Sequence, residues 1–172
     1  MTPIPLRQEQ VDAACRLHQT LQQWQRSDAA LIRLRDALPG FDAETCLLKA
    51  VAVNTLYGTQ VLAIVRMGEH VCQTLKRTDL SVGPELVETI ADLPKKEGDQ
   101  SRRFVSFAAK FCHFFVDEKR FPIYDEAARD TLVLHLGKNR TDDEKHPYRT
   151  FCENLKRLRD VSRISADGRE LD

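Results

Sequence analysis

Residues 101–116 read SRRFVSFAAKFCHFFV, and this stretch decides the fold. Ten of its positions, Phe104, Val105, Phe107, Ala108, Ala109, Phe111, Cys112, Phe114, Phe115 and Val116, are apolar. They cover most of a helical circumference, so the helix belongs in the middle of a domain. Arg102, Arg103, Ser106, Lys110, His113 and Asp117 are expected to share one narrow polar seam. Working outward, DAETCLLKAVAVNTLYG (42–58) predicts a second central helix over 43–57, capped by Asp42, with Leu47 and Val51 in the core. Val61, Ile64, Val65, Gly68, Val71, Cys72 and Leu75 predict a helix over 59–76. Pro84 opens a short one reaching Leu93, and Asp125 caps another that ends at Gly137. Tyr148, Phe151, Cys152, Leu155 and Leu158 mark a last helix. At the front, Val11, Ala14, Leu17, Leu21 and Trp24 predict one helix over 7–25, followed by a short one over 29–38. Alternating β-branched runs are scarce. The fold class is all-α, a single compact multi-helix domain over 1–172, with 1–6 as an arm and 164–172 as a loose tail.

Composition narrows the function classes. The 172 residues carry 26 basic and 26 acidic side chains, so the formal net charge is zero. That disfavours a strong sequence-blind nucleic-acid binder, which would be basic overall, without excluding a local basic surface. Such a surface is offered by 95–120, where seven lysines and arginines stand against four acids. No apolar stretch approaches the ~20 residues of a membrane helix. MTPIPLRQEQ has no basic start before an apolar run, so no secretory leader is expected. Five scattered cysteines suit a reduced, cytoplasmic chain. No cysteine or histidine spacing fits a metal, and no glycine-rich phosphate loop occurs, so no metal and no cofactor are expected.

One amine and one carboxylate stand out. Lys110 lies in the most apolar helix, where burial would favour a neutral, nucleophilic amine. Asp125 opens the next helix, where the dipole stabilises a carboxylate. On these residues alone two readings stand: a reactive pair, or a wet-edge lysine and a plain cap. Asn54, Tyr57, Thr59 and Gln60 interrupt apolar sequence around Gly58 and either tie a helix break or line a pocket.

Two segments resemble the helix-hairpin-helix DNA glycosylases, the superfamily of endonuclease III. LLKAVAVNTLYGTQVLAIVRM (47–67) is similar to the family's early apolar helix, polar break and following helix. SFAAKFCHFFVDEKRFPIYDEAARDTL (106–132) is similar to its hairpin-exit helix, turn and catalytic aspartate. The resemblance implies a minimal, divergent bacterial branch of that fold, with a degenerate hairpin: RRFVSFAAK (102–110) stands where the glycine-rich hairpin would be. It implies a DNA repair role with Asp125 as the catalytic carboxylate and Lys110 as the Schiff-base lysine of an abasic-site lyase. Asn54, Tyr57 and Gln60 would face the extruded base, and Arg102, Arg103 and Arg129 would contact DNA. The alternative is a non-catalytic module of the same fold that binds DNA or a protein partner.

Overall fold

The computed structural model describes residues 3–79, 82–96, 102–137 and 145–164. They form a compact all-helical domain with eight α-helices and, among the described residues, no strand. The helices are α1 (Gln8–His18), α2 (Gln22–Ala37), α3 (Ala43–Leu56), α4 (Ile64–Arg77), α5 (Pro84–Ala91), α6 (Val105–Phe115), α7 (Glu126–Leu136) and α8 (Pro147–Ser162). No described helix is long and apolar enough to cross a membrane.

The core is built around α6. Val105 and every residue from Phe107 to Phe115 are buried, so α6 has no wet face among these positions. Helices α2, α3, α5 and α8 pack around it. Phe107, Phe111 and Phe115 stack along one side at centroid spacings of 6.0 and 5.1 Å. The expected polar seam is absent: Lys110 and His113 are both buried. Beside α6, α3 and α4 form a close pair. A Cβ on Gly68 would stand 2.9 Å from the Leu47 Cα, so hydrogen at that position lets the two backbones approach.

Several boundaries agree with the reading of the sequence, and each has a local cause. The Asp42 carboxylate accepts from Thr45 N–H at 2.9 Å and starts α3. Pro84 sits in the first turn of α5. Asp125 accepts from Ala128 N–H at 3.0 Å and starts α7, which ends at Gly137 with φ 78°. The front of the chain differs. The helix expected over 7–25 breaks between α1 and α2, where Thr20 turns its hydroxyl onto Leu17 O at 2.7 Å and Leu21 N–H bonds His18 O. The short helix expected over 29–38 is the second half of α2. Of the five-residue stripe only Val11 is buried; Leu17, Leu21 and Trp24 are exposed. Val51, expected in the core, is 41% exposed, and Leu47 is half-buried. Helix α4 begins at Ile64 rather than near 59, because Val61 seats in the core ahead of it.

A charged clamp ties the far end together. Glu88 of α5 is buried; its Oε2 accepts from Arg103 at 2.6 Å, and its Oε1 accepts the N–H groups of Tyr148 and Arg149 at 2.7 and 3.1 Å. Glu88 thereby serves as the missing cap of α8. Arg103 also reaches Asp92 at 2.6 Å and Lys145 O at 2.6 Å. Removing Arg103 leaves a desolvated carboxylate with two of its three partners and its Oε2 unmatched. Arg103→Ala should cost about 3 kcal/mol in urea unfolding, whereas exposed Arg102→Ala should stay within about 0.5 kcal/mol. Equal effects would show that the clamp is not structural.

Lys49 of α3 is wholly buried. Its Nζ donates to Gly40 O at 2.9 Å and lies over the rings of Phe41 and Phe115 at 4.3 and 5.1 Å. Burial holds its pKa below the ordinary 10.5. In the window between the lowered folded value and 10.5 the unfolded chain binds more protons, so stability rises with pH. The wild type should therefore gain on Lys49→Met as the pH climbs from neutral toward 10.5. Thermal melts of the two chains that shift in parallel across this range would contradict it.

Candidate functional site

The site grows from the two polar residues that α6 buries. His113 bonds Phe121 O through Nδ1 at 2.9 Å. A carbonyl only accepts, so Nδ1 carries the proton. Phe121 is fully buried, and Tyr148 donates its hydroxyl to Pro122 O at 2.9 Å. Asp117 bonds the N–H groups of Lys119 and Arg120. These contacts fold the segment after α6 back along the helix and return Asp125 to the level of Lys110.

There the amine and carboxylate meet. Lys110 Nζ lies 3.5 Å from Asp125 Oδ2 and donates to Ser106 Oγ at 2.8 Å. It also sits 5.6 Å from the centre of the Tyr57 ring. Lys110 is only 3% exposed, while Asp125 opens to solvent. Tyr57 is fixed in turn: its hydroxyl donates to Asp28 Oδ1 at 2.5 Å, and its ring packs against Trp24 and Phe114.

An open cleft of about 670 Å³ adjoins this group. One wall is the α1–α2 corner, including Leu21, Trp24 and Asp28; the other carries Tyr57, His113, Ile123 and Asp125. Lys110 is not in the lining and communicates with the cleft through Asp125 and Tyr57. The arrangement can hold a ligand against the aromatic corner that Trp24 and Tyr57 form, present a carboxylate to it, and keep an amine in reserve behind that carboxylate.

The remaining residues expected at a site lie as follows. Asn54 braces the break between α3 and α4: its Oδ1 accepts from Val61 N–H at 2.8 Å and Thr59 hydroxyl at 2.9 Å, and its Nδ2 donates to Val61 O at 3.2 Å. Gln60 is exposed, takes a left-handed φ of 57°, and does not line the cleft. Tyr57 does. Arg102 is exposed over Phe104, Arg129 is exposed over Tyr124, and Arg103 is engaged in the clamp. Trp24, Asp28 and His113 were not anticipated in the lining. The one sequence signal for Trp24 is an apolar stripe on a helix pair otherwise rich in polar residues. Asp28 meets Tyr57 across 29 positions, which no local pattern reveals. Among the described residues no group of three or more histidines, cysteines, aspartates or glutamates could hold a metal.

No curated protein and no solved structure matches the chain. A family model does match, over residues 10–119. The matched span includes Trp24, Asp28, Tyr57 and Lys110, and stops short of Asp125. It exceeds half of the chain, and the protein therefore belongs to the family described as HI_0787_N: N-terminal domain.

Proposed function

We propose that this chain is a DNA glycosylase-like protein that takes an extruded, damaged or modified nucleotide into the cleft. The observation that carries the reading is the Lys110–Asp125 pair, 3.5 Å apart beside an open cleft, in the arrangement the two segments resemble. An enzyme that acts on a base must remove it from the stack and enclose it. The cleft has the volume of a small-molecule site and an aromatic corner. Asp125 would face the sugar and stabilise positive charge as the glycosidic bond breaks, or orient the attacking water. Once an abasic aldehyde is present, the Lys110 ammonium gives up a proton, for which Asp125 Oδ2 is a carboxylate within reach. The amine then adds to C1′ and water leaves, giving an imine. Loss of a C2′ proton from the imine breaks the C3′–O bond and cuts the strand. Exposed Arg102 and Arg129 would hold the phosphates. Five cysteines without a disulfide fit a reducing compartment, the cytoplasm.

The alternative, a non-catalytic helical module that binds DNA or a protein, is favoured by one observation: Lys110 is nearly covered, so a sugar reaches it only if Tyr57 or the α1–α2 wall shifts. Borohydride reduction in the presence of abasic DNA separates the two. The glycosylase-like reading expects a covalent adduct that Lys110→Ala abolishes and Asp125→Asn slows by roughly a hundredfold or more, on the order of a lost acid–base contribution. An adduct that survives Lys110→Ala moves the nucleophile elsewhere. No adduct and no base release from damaged duplexes would leave the binding module.

A further inference from the structure

We infer that the α1–α2 wall of the cleft binds a flat heteroaromatic ring through an edge that carries an exocyclic amino group. This deepens the reading of the cleft as a nucleotide site. Three features carry it. The first is the platform. Trp24 is 46% exposed, lines the cleft and packs at 5.6 Å against a Tyr57 ring that is itself anchored. A ring left this open in a fixed corner offers a face for stacking, worth as much for any base.

The second feature is Asp28. Its side chain is mostly buried, and Oδ1 is occupied by the Tyr57 hydroxyl. Oδ2 faces His18 Nε2 at 3.8 Å, beyond hydrogen-bond length. An ionised carboxylate only accepts, and it has lone pairs to spare here. The third is the charge of the lining. Its acids are Asp28 and Asp125, its other titratable side chains include His18 and His113, and no lysine or arginine is among them. Asp125 lies on the other wall and is paired with Lys110, so on this wall Asp28 is the acid, and its carboxylate accepts from an amino edge and disfavours an oxo edge. A site built to accept from an N–H discriminates against a ring presenting a carbonyl there, because two acceptors are then left facing each other.

Trp24 is the only tryptophan, so its fluorescence reports the cleft directly. The full chain is titrated with adenosine, inosine, cytidine and uridine, two pairs that differ by amino against oxo. Adenosine and cytidine should quench saturably, with inosine and uridine at least about fivefold weaker. Asp28→Asn keeps an oxygen for the Tyr57 hydroxyl and turns an amide N–H₂ toward the cleft. It should reverse the preference toward inosine and uridine; a circular dichroism melt checks its folding. Equal quenching by all four, no quenching, or a preference that ignores Asp28→Asn would overturn the inference. Amino selectivity without a borohydride adduct supports this inference and removes the lyase chemistry. An adduct without selectivity does the reverse.

Discussion

A helix enclosed on every side must satisfy its own polar side chains from its neighbours. Helix α6 is in that position, and Lys110 and His113 are the two residues that impose the demand. Each is only 3% exposed, so protein groups supply most of their partners. His113 is met by Phe121 O, which requires the chain after α6 to double back. Lys110 is met by Ser106 one turn earlier and by Asp125 from the start of α7. The return of that segment also carries Ile123 to the cleft wall. The burial of one helix therefore dictates the turn, the entry into α7 and the shape of the candidate site.

The two buried lysines have similar burial and different surroundings. Lys49 is held by a backbone carbonyl and two aromatic faces and does not line the cleft. Its ammonium ties the Gly40 turn to the core. Lys110 has a hydroxyl, a solvent-open carboxylate and a tyrosine ring between it and a cleft. Charge buried beside an opening, with a partner that can exchange protons with solvent, is suited to chemistry. Charge buried with only a carbonyl and rings is suited to holding parts together.

Much of this was legible in the sequence wherever one residue type has one local job. Asp42, Pro84, Asp125 and Gly137 mark helix ends by capping or by backbone conformation, and the structure places those ends where these residues stand. The apolar density of α6 predicted its central place, whereas the meeting of Lys110 with Asp125 was one of two readings that the residues left open. What could not be read locally went astray. An apolar pair such as Leu21 and Trp24 looks the same whether it meets a core or walls a cleft. A polar residue in an apolar helix looks like a wet edge until every neighbouring face is known to be occupied, which is why Lys110 and His113 were expected on a seam. Arg103 reads as surface charge because Glu88 and Lys145, which bind it, lie 15 and 42 positions away. Asn54 was open to either reading, and its three bonds to residues 59 and 61 make it a brace.

Under the proposed chemistry, Lys110 is kept in the core for what it does at the cleft rather than for stability. Replacing a buried charge by an apolar side chain of similar length is neutral or stabilising when the charge serves function, since its desolvation is then removed at no loss of structure. Equilibrium urea unfolding of Lys110→Met, beside Lys110→Met/Asp125→Asn to remove the partner charge, measures this directly. The account predicts a midpoint equal to or above that of the wild type in the double variant, with an unchanged slope. A loss of about 3 kcal/mol or more in both variants would contradict it and make the pair a structural tie.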